Sequence, residues 1–166
     1  NWVVNIVIIF LIIWGGLGWR VTNDLWTNRN DLRSRNLSLH TRLVIRTSFF
    51  LIVIGTLGLL MTESIVQGHF FSEISFPEKS LIAFFESVSA RTAGFTNMPI
   101  SLETISDSGL LLLMTLMFIG ASQGGTGGGV KTTTVAALIA ATRSTLRGQD
   151  NIVIRHRQIA DKVVLK

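Results

Sequence analysis

Three long apolar stretches, almost free of charge, and a shorter fourth limit what this chain can fold into more than any other feature. Residues 2–19, 43–66 and 109–142 are each long enough, as helix, to cross most of a hydrocarbon core about 30 Å thick. Residues 77–90 are too short to do so. A soluble domain carries about 25% charged residues, whereas this chain has 15%, gathered between the apolar stretches. The 166 residues include no cysteine, which excludes a disulfide framework, a thiol nucleophile and a thiolate metal site. The net charge of +5 does not imply nucleic acid, because the basic residues flank apolar runs and form no single stripe. The expected class is an all-α integral membrane protein embedded in a lipid bilayer. No basic segment precedes the first run and no small-residue cleavage site follows it, so a signal peptide is not expected. With Asn1 at the start and an apolar run at the end, the chain is expected to be a fragment of a longer polypeptide.

The charges orient the stretches. Residues 20–46 hold six basic side chains against two acidic, residues 63–107 hold two against six, and residues 143–166 again hold six against two. Basic loops stay inside, so the order is inside, outside, inside. That order needs an even number of crossings between residues 46 and 143. The stretches 43–66 and 109–142 supply them, so residues 77–90 must enter and leave on one side as a re-entrant helix.

Pro77 and Glu78 suit the first turn of that helix, where a missing amide costs nothing and a carboxylate meets the positive end of the dipole. It should end near Ala90, before Arg91, Thr92, Ala93, Gly94 and Phe95. Non-helical backbone at membrane depth is tolerated where it is buried in protein or lines water. A short helix feeding Thr-x-Gly-aromatic fits a cation-selectivity filter. There, backbone carbonyls replace the ion's hydration shell and glycine permits the φ that aims them. Arg91 either stiffens the filter by hydrogen bonds or caps the short helix, with Glu86 or another carboxylate as its expected partner.

The last stretch is interrupted by Ser122, Gln123, Gly124, Gly125, Thr126, Gly127, Gly128 and Gly129, and helix cannot persist there. Gly124 to Thr132 comes within one residue of a phosphate-binding loop, but Val130 stands where lysine must follow the last glycine. The preceding segment also reads as helix where that motif needs a strand. A hinge in a hydrated cavity is the better account, and a mobile polar segment below a filter would obstruct ions. Lys131 would then repel cations or pair with a carboxylate. Thr132, Thr133 and Thr134 are expected to satisfy helix backbone. His40, His69 and His156 are isolated, so no metal site is expected. Glu63, Glu73 and Glu103 are expected to form a solvated acidic rim at the outer mouth.

The order of these elements resembles the Trk/Ktr/HKT superfamily of potassium and sodium uptake proteins, most closely its Ktr-type membrane subunit. Residues 89–96, Ser-Ala-Arg-Thr-Ala-Gly-Phe-Thr, resemble the filter of the third of that family's four helix–pore loop–helix repeats. Residues 117–133 resemble the broken second helix of the same repeat, and Ile12 to Trp19 resemble the inner end of the preceding one. The resemblance implies three parts. Residues 1–42 end one repeat and form a cytoplasmic connection, 43–147 form a complete repeat, and 148–166 lead into the next. It implies potassium translocation through a filter at Thr92, Ala93, Gly94 and Phe95, gated by the glycine loop with Lys131. Sodium selectivity remains an alternative, because the family's deciding first repeat lies outside this sequence. The implied partners are a second copy of the chain and a cytoplasmic ring of nucleotide-binding regulatory subunits, with no nucleic acid. No resident cofactor and no enzymatic chemistry are implied; the metal is the transported K+ or Na+. A secondary transporter with its substrate site in the broken helix, or a nucleotide-dependent enzyme built on the glycine loop, are the rival readings.

The topology is directly testable. Single cysteines at Glu73 and Glu103 should both react with an impermeant thiol reagent from outside, while cysteines at Arg33 and Arg147 should not. Labelling of positions 73 and 103 from opposite sides would remove the re-entrant helix.

Overall fold

In a computed structural model, residues 1–29, 37–65, 74–91, 93–98, 104–146, 152–154 and 157–159 are described. The first apolar stretch forms α1 (Trp2–Leu17), about 24 Å long at ~1.5 Å per residue. It ends because Gly18 takes φ 82° and ψ 153°, a conformation essentially reserved for glycine. The chain then turns by 95° into α2 (Trp19–Thr27), which sequence patterning did not separate from α1. Val21 is the buried residue of α2, while Trp19 and Trp26 stay exposed. Arg29 lies 5.5 Å over the Trp26 ring.

Helix α3 (Leu39–Ile65) begins four residues earlier than the apolar run that marks it. Ser38 explains the early start: its hydroxyl accepts from the Thr41 amide at 3.2 Å. Asp24 of α2 strengthens the junction by accepting from the Ser38 amide at 3.0 Å and the Thr41 hydroxyl at 2.5 Å. Among the described residues, α3 is the one helix long and apolar enough to cross a membrane alone; counting the bent α1–α2 pair as one span gives a second.

Helix α4 (Phe76–Ser89) matches the expected short helix closely, with Pro77 in its first turn and the Ser75 hydroxyl donating to Glu78 at 2.8 Å. Helix α5 (Asp107–Phe118) starts at Ser106, whose hydroxyl accepts from the Gly109 amide at 3.1 Å. A non-helical stretch separates it from α6 (Thr132–Leu146), so the last apolar run is broken where its glycines cluster. Two short strands follow, β1 (Ile152–Ile154) and β2 (Arg157–Ile159), paired antiparallel with Ile152 opposite Ile159. The chain is helical as expected, and this hairpin is an addition, favoured by the β-branched run Ile152-Val153-Ile154.

The short helix takes part in both buried clusters, packed chiefly against α3. Leu59 of α3, Ala83 of α4 and Leu113 of α5 share one buried cluster with Met98 and Ile105; Phe85 and Val88 of α4 meet Ile9 of α1 in another. Large apolar side chains outside these clusters, such as Phe49, Ile54 and Met61 along α3, remain exposed and suit a lipid or protein surround. Close approach of α3 to α4 depends on Gly55: a Cβ there would lie 2.3 Å from Ser87 Oγ and 2.7 Å from Leu116 Cδ1. The Ser87 hydroxyl uses the gap to donate to the Ile52 carbonyl at 3.0 Å.

Gly55→Ala should therefore destabilise the protein by about 1–3 kcal/mol, the usual cost of overpacking. Adding Ser87→Ala should recover part of that loss. The unfolding midpoint of the purified full-length protein in detergent reads both effects, and additive losses would rule out the contact.

Candidate functional site

Helix α4 ends on a tight turn. The Arg91 amide donates to Val88 O at 3.3 Å, and the Ala93 amide reaches Ser89 O at 3.0 Å. Gly94 then takes φ 77°, yet no atom lies within 4 Å of where its Cβ would be. Its glycine is required by conformation and not by crowding. The Ser89 hydroxyl donates to the Phe95 carbonyl, so one lone pair of that oxygen is already engaged. Of the four expected filter residues, Ala93, Gly94 and Phe95 follow one another along this turn, and Thr92 lies outside the described residues.

Arg91 does not pair with Glu86. Its guanidinium turns to the Ser48 hydroxyl of α3 at 3.3 Å and, at a long 3.5 Å, to the Gly120 carbonyl. Residues five apart on a helical path point to different sides, which is why the expected pair does not form. Glu86 is instead 2% exposed and accepts from the Thr96 hydroxyl at 3.0 Å and the Asn97 amide at 2.8 Å. Glu63 also departs from expectation. It is 2% exposed, not part of a solvated rim, and accepts from the Ser106 amide at 3.1 Å and the Ser106 hydroxyl at 2.6 Å. That ties the end of α3 to the start of α5. Glu73 and Glu103 lie outside the described residues.

The glycine-rich interruption is a folded loop with a closed neck. Gly120 donates to Val130 O at 3.1 Å and Val130 donates to Phe118 O at 3.0 Å, pairing the two ends like adjacent strands. No side chain fits at the neck, since a Cβ on Gly120 would stand 1.6 Å from Gly128 O. Gly124 and Gly129 both take positive φ, 79° and 75°. Ser122 and Thr132 share a buried hydroxyl contact at 3.0 Å. Lys131 donates to Gly127 O at 2.7 Å across the loop, a carbonyl partner where a carboxylate was expected. Of the three threonines, Thr132 thus serves the loop and not the helix backbone.

This loop is docked on the corner between α1 and α2. The Ser122 amide donates to Gly16 O and the Trp19 amide donates to Gly124 O, both at 3.2 Å. A Cβ on Gly18 would lie 2.7 Å from Gln123 O, so the corner accepts the loop because it is bare. Sequence reasoning missed this partnership, although Gly15, Gly16 and Gly18 flagged a surface without side chains.

A cleft of about 490 Å³ joins the two features. Arg91, Ala93 and Phe95 line one part, Thr126 and Gly127 of the loop line another, and the Ile8 to Gly16 side of α1 closes it. Of the groups around it, the backbone carbonyls and the Thr126 hydroxyl can meet a cation, whereas the amides and the Arg91 guanidinium cannot, and none of these groups is a nucleophile set up for covalent chemistry. Among the described residues no group of His, Asp and Glu is placed to hold a metal ion. A phosphate cradle is disfavoured as well, because α5 precedes the loop and the Lys131 ammonium is committed to Gly127.

The whole chain, residues 1–166, matches the family model described as TrkH, cation transport protein. The Ktr system potassium uptake protein B of Bacillus subtilis is 32% identical over 163 residues, covering 98% of this chain and 35% of that protein. The potassium/sodium uptake protein NtpJ of Enterococcus hirae is 33% identical over 164 residues, covering 96% and 34%. Among solved structures, the potassium transporter TrkH from Vibrio parahaemolyticus superposes with a TM-score of 0.73 at 19% identity, over 99% of this chain and 35% of that one. That likeness speaks for the fold. The chain spans about a third of the length of these proteins.

Proposed function

The chain belongs to the TrkH family of cation transport proteins, multi-pass proteins of the plasma membrane, and from that premise we propose that it forms part of a potassium uptake pathway. In this reading Thr92, Ala93, Gly94 and Phe95 supply one segment of a carbonyl-lined filter, and residues 122–129 with Lys131 form a gate beneath it. The observation that supports it is the shared cleft, lined by Ala93 and Phe95 on one part and by Thr126 and Gly127 of the loop on another. A dehydrating cation needs oxygen dipoles held in place, and the Gly94 turn offers backbone carbonyls at low steric cost. Below it, the loop tip is polar and anchored at its neck, so it can obstruct the path without unravelling α5 or α6. The name of the Enterococcus relative includes sodium, so Na+ is carried as the second candidate ion. The same family resemblance supports a second copy of the chain and a cytoplasmic ring of nucleotide-binding regulatory subunits as partners. No cofactor and no enzymatic step belong to this proposal.

The filter is tested by Gly94→Ser in the whole transporter. A side chain at φ 77° costs about 1 kcal/mol or more and should disturb the carbonyl row. Discrimination between K+ and Na+ in uptake competition should fall several-fold; normal expression with unchanged preference would remove Gly94 from the filter.

The gate is tested by deleting part of residues 124–129, or by Gly18→Ala. The neck bonds at Phe118, Gly120 and Val130 lie outside the deleted tip. Alanine at position 18 adds strain of about 1–3 kcal/mol and presses on Gln123 O, which should undock the loop. Both variants should raise maximal uptake velocity per folded protein with the ion preference unchanged. Folded variants of wild-type velocity would leave the loop a packing feature only.

A further inference from the structure

The stretch that follows Gly94 has little side-chain packing to hold it. Gly94, Phe95, Thr96 and Asn97 are all exposed, and the next buried anchor is Met98. Hydrogen bonds must therefore set its path, and three of them come from two residues of α4. Ser89 donates to the Phe95 carbonyl, while Glu86 accepts from the Thr96 hydroxyl and the Asn97 amide. Residues 86 and 89 are three apart on one helix face, so they grip the chain on both sides of the Phe95–Thr96 peptide.

Glu86 is an unusual choice for a merely space-filling position. A buried carboxylate is costly unless donors surround it. At 2% exposure Glu86 meets donors from residues 96 and 97, and Arg91 turns away to Ser48 and Gly120. It borders a cavity of about 320 Å³ walled largely by Leu110, Leu113, Met114 and Met117, where weak screening strengthens each bond. A carboxyl group that accepts two bonds from one segment is suited to holding that backbone at fixed geometry.

We infer that Glu86 is a positioning residue for ion selectivity: its carboxylate pins Thr96 and Asn97 and thereby sets the backbone path through Ala93, Gly94 and Phe95. This rests on residues 92–95 being the filter. Glu86 itself touches no ion; it acts through the segment it holds.

The experiment uses the full-length transporter and compares Glu86→Leu, Glu86→Gln and Thr96→Val, with Gly94→Ser as the reference. The readouts are the K+/Na+ preference in uptake competition, the half-saturating K+ concentration, and velocity per folded protein at the membrane. Glu86→Leu should lower the K+ preference roughly ten-fold, the scale of one to two lost hydrogen bonds. Glu86→Gln keeps an acceptor in the same place and should restore most of the preference. Thr96→Val, which removes the hydroxyl shared between Glu86 and the Met98 backbone with little change of shape, should fall between them. If Glu86→Leu does not fold, Thr96→Val against Glu86→Gln carries the comparison. A folded Glu86→Leu, or in its absence Thr96→Val, with wild-type preference and half-saturation overturns the inference. Where Gly94→Ser shifts the preference and the Glu86 and Thr96 variants do not, the positioning role alone fails. If Gly94→Ser also leaves it unchanged, the filter fails and the positioning role with it.

Discussion

A peptide group without a hydrogen-bond partner is expensive inside a hydrocarbon layer, and every irregular feature of this chain is arranged around that cost. The backbone leaves helix at two places that the apolar pattern puts at membrane depth, after Ser89 and after Phe118. In each place several of its amides and carbonyls are recovered locally. After Ser89, the chain folds back on the end of its own helix, and the Ser89 and Glu86 side chains complete the set. After Phe118, the two ends of the loop pair with each other, and the Ser122 amide and Gly124 carbonyl find the α1–α2 corner. The glycines follow from this. Backbone can only satisfy backbone at such short range where Cβ atoms are missing, as between Gly120 and Gly128 or Gly18 and Gln123.

The same economy governs the buried carboxylates. Glu63 and Glu86 are both buried, and both accept from a backbone amide and a hydroxyl outside their own helix. Glu63 draws α5 to the end of α3; Glu86 draws residues 96 and 97 to α4. Each replaces a helix-to-helix ion pair with a carboxylate-to-backbone clasp. Gly109 makes room for the first, since a Cβ there would lie 2.2 Å from Glu63 Oε1.

Much of the fold is legible in the sequence because lipid leaves few options. Run length, charge sidedness and the parity of crossings led to the short helix, and the structure starts it one residue before Pro77. The glycine cluster located the break between α5 and α6. What escaped depended on where backbone ends meet in space. The α1–α2 bend hangs on the φ and ψ of Gly18 alone, and no periodicity carries that information. Arg91 and Glu86 looked like partners in a linear reading, but helical rotation sends one towards α3 and the other towards Thr96. Lys131 found a carbonyl inside its own loop. Such pairings follow from three-dimensional proximity, and residue chemistry restricts them without choosing among them.

The docking of the loop on α1 also has a consequence in time. Trp19 N belongs to the first turn of α2 and Gly16 O to the last turn of α1, so neither has a partner within its own helix. Their partners, Gly124 and Ser122, are made roughly a hundred residues later, which at a ribosome's pace of ~5–20 residues per second is on the order of ten seconds. Until then the α1–α2 corner must stay in contact with water or with the insertion machinery. Biosynthesis therefore has an order: the α1–α2 corner waits, incompletely paired, for the loop that will seal it.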